Sequence, residues 1–148
     1  MTSKTRPMIR SPRETLGGYI ILPRLIDKIR LQAKGKLPPE YFRNLLKPGR
    51  TLDGWLLTFT GLEAEALKEV ILKAGSDEAV LAWVEKHAIS HNEEEKRKWG
   101  EEIASFRPDA AGLEARKRNY PDLGARVDLS LLGPLDMIDM DEGRIPVF

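Results

Sequence analysis

Apolar residues return at helical spacing along most of this chain. Leu22, Leu25, Ile26, Ile29 and Ala33 make one stripe, which predicts a helix from Tyr19 to about Lys34, ended by Gly35. Pro23 fits that helix only in its first turn, where the missing N–H would have no partner anyway. Leu62, Ala66, Leu67, Val70, Ile71 and Ala74 make a second amphipathic helix, stopped by Gly75. Val80, Leu81 and Val84 are the core face of a third, with Ser76 as cap and Asp77 and Glu78 at the positive end of its dipole. Ser90, followed by Glu93, predicts a helix start reaching about Phe106, with Trp99, Ile103 and Phe106 inward. Asp109 caps a short helix to Arg118.

Elsewhere the pattern is less regular. Ser11-Pro12-Arg13-Glu14 reads as a capped helix start, and Gly17-Gly18 as a hinge before the next helix. Leu37-Pro38-Pro39 opens a short helix to about Leu46, and Lys47-Pro48-Gly49 is a turn. Leu52, Trp55, Leu56 and Phe59 favour helix, while Thr58 and Thr60 leave a strand open. Beyond residue 118, Pro121, Gly124, Gly133, Pro134, Gly143 and Pro146 interrupt the chain, and only Pro134–Met140 reads as helix. Val127, Leu129, Leu131, Leu132, Leu135, Ile138 and Val147 make that stretch too apolar for a disordered tail. The expected fold is mostly α: a single compact helical domain over residues 9–148, of about seven to nine helices with little or no sheet. Residues 119–148 form an irregular strap packed on it, and residues 1–8 a flexible arm.

Composition removes several chemistries. The 148 residues include no cysteine, so disulfides, thiolate metal sites and cysteine nucleophiles are excluded. No apolar run approaches ~18 residues, and none follows the basic N-terminus as in a secretory signal. A cytoplasmic protein without membrane association is expected. There is no P-loop, no dinucleotide fingerprint and no nucleophile elbow, and no cofactor is expected.

Charge changes the picture more. The net charge is only +1, yet residues 1–50 hold 12 Lys/Arg against 3 Asp/Glu, and residues 51–148 hold 12 against 20. Either the two halves neutralise each other on folding, or a basic face attracts an anion, an acidic partner or nucleic acid. The acidic run Asp136, Asp139, Asp141, Glu142, Gly143 lacks EF-hand spacing and reads as acids pairing with Arg144. His87 and His91 stand four apart but straddle the predicted cap at Ser90, so no metal site is expected. Glu93–Arg97 and Glu94–Lys98 lace a solvated helix face. Arg116-Lys117-Arg118 suits a helix C-terminus, and no aromatic is interleaved there, which argues against nucleic acid.

The candidate site is N-terminal. Arg24 and Lys28 lie one turn apart beside the apolar stripe, with Asp27 spaced to pair with Arg24 or Arg30. One reading is structural pairing along the helix. The other is an anion site, in which Arg13 and Arg24 converge across Gly17-Gly18 on a carboxylate or phosphate. Lys28, Arg30 and Asp27 would border it, and Asp139 and Glu142 could join from the tail.

The run Ser11-Pro12-Arg13-x-x-Leu16-Gly17-Gly18, then Leu22-Pro23-Arg24-x-Ile26-Asp27-Lys28-x-Arg30, resembles the opening of the bacterial DUF5069 family, a domain of unknown function. The likeness continues through Leu52-Asp53-Gly54 and Asp77-Glu78-x-Val80-Leu81-x-Trp83-Val84, and ends near Ile138-Asp139-Met140-Asp141-Glu142-Gly143-Arg144. It implies a small soluble bacterial protein and supplies no catalytic residue; the two histidines fall outside it. The expected function is non-enzymatic binding of an anionic small molecule or acidic protein segment through the basic N-terminal face. The alternatives are an enzyme using Asp27, Asp53, Asp139 or Glu142 as acid and base, and a nucleic-acid accessory protein. The oligomeric state is not legible; the outer side of Trp55–Phe59 is the candidate self-contact.

Overall fold

The computed structural model describes residues 9–147, so the arm expected over residues 1–8 lies outside the described residues. The architecture is mostly α, with one small two-stranded sheet. Two compact units divide between Lys96 and Arg97, inside a helix.

The first unit opens with a hairpin where a helix start was expected. Ser11–Glu14 is a turn, closed by the Glu14 N–H on the Ser11 carbonyl at 3.1 Å. Ser11 Oγ accepts from the Arg13 N–H at 3.1 Å, so the hydroxyl caps a turn rather than a helix. The strands β1 (Thr15–Leu16) and β2 (Tyr19–Ile20) then pair antiparallel, Thr15 opposite Ile20 and Leu16 opposite Tyr19. Gly17 and Gly18 link them at φ 60° and 86°. Two consecutive left-handed residues make the two-residue turn that matches strand twist, and this is why a glycine pair stands here. The pair is a hairpin turn, not a hinge between helices. It is also closely packed: an added Cβ on Gly17 would lie 2.5 Å from Leu81 Cδ1, and one on Gly18 2.9 Å from Glu93 Oε2.

Helix α1 (Leu22–Ala33) follows, with Pro23 in its first turn as expected and Gly35 just past its end. It has no side-chain cap. The residue before it, Ile21, is fully buried at φ 76°, its N–H bonded to the Pro12 carbonyl at 3.0 Å. Left-handed backbone at a β-branched residue costs about 1–3 kcal/mol. Burying the side chain and satisfying the N–H offset that cost.

A 3-10 segment, Pro39–Asn44, takes the place of the short helix expected from Leu37 to Leu46. Then come α2 (Leu52–Thr60), α3 (Ala64–Lys73), α4 (Asp77–His87) and α5 (Glu93–Ala104). The 52–60 segment is therefore helix. Thr51 Oγ1 decides it, accepting from the Gly54 N–H at 2.9 Å and donating to the Lys47 carbonyl at 2.6 Å. Ser76 caps α4 as expected, accepting from the Ala79 N–H. Ser90 does not cap α5. Asn92 does, in a reciprocal box in which Asn92 Oδ1 and Glu95 Oε1 accept each other's backbone N–H, both at 2.8 Å. The Ser90/Glu93 spacing recurs two residues later at Asn92/Glu95, and Asn is an equally good cap. Helix α1 packs on α3 and α3 on α4. Leu25, Ile26, Ile29, Leu67, Ile71 and Val80 form the fully buried centre of this unit.

In the second unit Asp109 caps α6 (Ala110–Asn119), accepting from the Gly112 N–H at 2.8 Å. The strap beyond it is mostly turned rather than extended: α7 (Pro121–Gly124), a 3-10 turn Leu129–Leu131 and α8 (Pro134–Asp141). Leu123, Leu129 and Met137 form its core, covered by Leu113, Tyr120, Val127, Leu132, Met140 and Val147. Arg116, read from sequence as a helix-end cation, is buried. Its Nη1 donates to the carbonyls of Leu129 and Leu132 at 2.7 and 2.8 Å, tying the strap to α6. Burial lowers the pKa of this guanidinium, and the nearby charge of Arg107 lowers it further.

Gly54 tests the packing of the turn ahead of α2. A Cβ there would stand 2.5 Å from the Gly49 carbonyl oxygen and 2.8 Å from that of Lys47, both backbone. Gly54→Ala should cost about 1–3 kcal/mol in urea denaturation, the usual range for overpacking. Gly75→Ala, where an added Cβ meets nothing within 4 Å, should stay within about 0.5 kcal/mol of the parent.

Candidate functional site

The polar residues of α1 sit on a helix that is buried over most of its surface. Arg24 and Lys28 are only 4% and 5% exposed. A buried charge without a partner is strongly unfavourable, so each must be bonded inside the unit.

Lys28 answers to Asp53. Its Nζ donates to both carboxylate oxygens, at 3.1 and 3.0 Å, and both side chains are almost wholly buried. Asp53 Oδ2 also accepts from the Leu46 N–H at 2.9 Å, so the same carboxylate holds the turn that leads into α2. Arg24 Nη1 donates to the Arg10 carbonyl at 3.1 Å, with its guanidinium carbon 5.6 Å from the centre of the Tyr41 ring.

Asp27 answers to a residue the helical spacing did not point to. Arg10 grips it with Nε and Nη2, both at 3.0 Å, and with its backbone N–H at 2.8 Å. The same guanidinium reaches Asp77 at 2.7 Å, and Arg30 approaches Asp77 from the other side at 3.3 Å. Arg30 also donates to the Ala74 carbonyl. The expected pairing of Asp27 with Arg24 or Arg30 is therefore replaced by a four-member network across Arg10, α1 and the start of α4. Hydrogen bonding from Arg10 holds the Asp77 carboxyl below its usual range, against the effect of burial, and the charges of Arg10 and Arg30 add to it. The bonds to Asp27 and Asp77 raise Arg10 further above its ordinary value. No local signal marked Arg10; a fork-shaped grip on a carboxylate 17 residues away leaves no periodicity to read.

The glycine pair belongs to another cluster. Lys96, 4% exposed, donates to the Gly17 carbonyl at 2.8 Å and lies 4.4 Å from the Tyr19 ring centre, with Glu85 and Glu93 at 3.6 and 3.7 Å. Burial raises the Tyr19 pKa, and the charges of Glu85 and Glu93 raise it further. The charge pattern alone puts Lys96 on a solvated face; the ring and the carbonyl draw it inward instead. Arg13 is exposed at the first turn. In the second unit Asp139 and Glu142 are buried and both bonded by Arg144 Nη1, at 3.0 and 2.6 Å.

The histidines are occupied as donors. His87 Nδ1 donates to the Trp83 carbonyl at 2.9 Å with its ring stacked on Trp83. His91 Nε2 donates to the Phe59 carbonyl at 2.7 Å with its ring 3.8 Å from Phe59 and nearly parallel. A carbonyl only accepts, which puts the proton on the bonded nitrogen in each case. His87 ends α4 and His91 precedes α5, so they do not share a helix face. Among the described residues, no three His, Asp or Glu side chains gather as a metal would need. Nor is any helix among them long and apolar enough to cross a membrane.

The chain belongs to the family described as a domain of unknown function, DUF5069, whose model matches residues 6–144. No curated protein matches it. Many of the residues that carry the resemblance contact one another: Asp27 and Arg30 through Arg10 and Asp77, Lys28 with Asp53, Asp139 and Glu142 with Arg144. An added Cβ on Gly17 would also meet Leu81. Contacts of this kind build the fold and leave few donors for a ligand.

Lys28→Met should cost about 3–5 kcal/mol in urea denaturation, because Asp53 would be left buried without its cation. The double change Lys28→Met, Asp53→Leu should cost clearly less than the sum of the singles. Asp77 adds a pH dependence. Its pKa is depressed on folding, so its contribution is present above the ordinary carboxylate range and lost as pH falls through the lower folded value. Asp77→Asn should therefore lower stability at neutral pH and flatten the loss of stability below pH ~4.

Proposed function

We propose that this protein is a non-enzymatic helical binding protein that takes an anionic small molecule or an acidic protein segment through its basic N-terminal half. The observation that carries the reading is a division of labour among its cations. Those of the 24–30 stretch are engaged by the fold, whereas Lys34, Lys36, Arg43, Lys47 and Arg50 all stand exposed between residues 34 and 50. Among the described residues no ion pair engages Lys34, Lys36 or Lys47, and Glu40 is the one acid in that span. These exposed cations favour a binding surface after α1, with Arg13 as an outlying member, over the Arg13–Arg24 pair read from the sequence.

An enzymatic reading has less support. Asp27, Asp53, Asp139 and Glu142 each accept from a cation, so each carboxylate is already engaged by the fold. A bacterial, cytoplasmic setting is part of the same proposal.

Inorganic tripolyphosphate is the first probe. It should raise the melting temperature of the protein at low salt, and about 0.5 M NaCl should abolish the rise, because exposed charges are screened over a few ångströms at that ionic strength. The triple change Lys34→Gln, Lys36→Gln, Lys47→Gln should remove the rise while leaving the melting temperature without probe unchanged. A protein stabilised neither by tripolyphosphate nor by a polyglutamate peptide would overturn the reading.

A further inference from the structure

We infer that the 34–50 surface also binds single-stranded nucleic acid; this rests on the anion-binding reading above and extends it to a further class of anion. Arg116-Lys117-Arg118 spoke against nucleic acid because no aromatic stands among its charges. The 34–50 stretch does have one. Phe42 is 49% exposed, and it is the only Phe, Tyr or Trp in the exposed class among the described residues. Along the chain it adjoins Arg43 and lies between Lys34 and Lys36 before it and Lys47 and Arg50 after it.

The ring is displayed on an anchored segment. Tyr41, its neighbour, is tucked beneath the buried Arg24, and Leu37 is buried ahead of the 3-10 turn. The Leu45 N–H closes on the Phe42 carbonyl at 3.3 Å, and the following turn is tied to α2 through Asp53 and Thr51. A large apolar ring gains nothing from water, and here the residues on either side are packed or bonded while about half of the ring is left open to solvent. A face-on apolar partner among anions would suit it.

Single strands offer that combination. Their bases present free faces to an aromatic side chain while their phosphates meet flanking cations, and such stacking tolerates any base. A duplex hides its base faces, and a polycarboxylate has none. The cations would supply affinity without sequence preference, and Phe42 would supply the discrimination against other polyanions.

The test uses the full chain and fluorescence anisotropy with labelled oligo-dT and oligo-U of about twelve nucleotides, a length on the scale of known single-strand sites. A polyglutamate peptide of matched charge is the comparison. Both oligonucleotides should bind more tightly than polyglutamate. Phe42→Ala should weaken them about tenfold at fixed salt, with little change in polyglutamate binding or in the slope of log affinity against log salt. Lys34→Gln, Lys36→Gln, Lys47→Gln should instead flatten that slope, by about 0.7 for each phosphate no longer neutralised. In Phe42→Trp, which keeps the stacking face, binding should be retained and the added indole fluorescence quenched by the oligonucleotide. Equal affinity for polyglutamate and oligonucleotides, or no effect of Phe42→Ala, would overturn the nucleic-acid inference and leave anion binding standing. Failure of every polyanion to bind would remove both.

Discussion

The ion pair between Lys28 and Asp53 is the constraint on which the first unit is built. A lysine in the buried face of a helix is costly unless a carboxylate meets it at hydrogen-bond distance, and Asp53 meets it with both oxygens. That requirement fixes the start of α2 against α1. Because the same carboxylate takes the Leu46 N–H, it also fixes the turn before α2. Gly54 then has to be glycine, since the turn's backbone passes where a side chain would be. One buried charge thus determines a helix position, a loop path and a residue identity.

The rest of α1 obeys the same rule with other partners. Arg24 finds a carbonyl and a ring, and Asp27 finds Arg10, which brings Asp77 and Arg30 into one network. Such a network stabilises less than its count of bonds suggests, because taking the charges from water offsets much of the gain. Its effect is specificity: α1 fits only where four different segments present the right donors and acceptors. The hairpin is held in the same manner, by Lys96 on the Gly17 carbonyl and over the Tyr19 ring.

This has a direct bearing on function. A cluster of arginine, lysine and aspartate near a glycine pair resembles a ligand site when read as sequence. Most of that cluster is spent on holding the chain together, and the cations left at the surface are those that no periodicity singled out. Phe42 stands with them because its neighbours, not the ring itself, anchor the segment.

The sequence by itself determined the helical class, most helix positions and several caps. Apolar spacing, Ser76, Asp109, Pro23 and Gly35 act within a turn or two of chain, and local physics suffices to read them. It also indicated that the strap beyond α6 is too apolar for a disordered tail, and Val127, Leu129, Leu132 and Val147 do lie in its core cluster, whereas Leu131 stays exposed. Only the tertiary structure decided what the charges do. Ser11-Pro12-Arg13-Glu14 suits a turn as well as a helix start, and the strand pairing that follows selects the turn. Arg10 with Asp27, Lys28 with Asp53 and Lys96 with Gly17 join residues 17, 25 and 79 positions apart. A charged side chain has no period of its own; where it goes is set by which buried partner can satisfy it, and that partner exists only once the chain has folded.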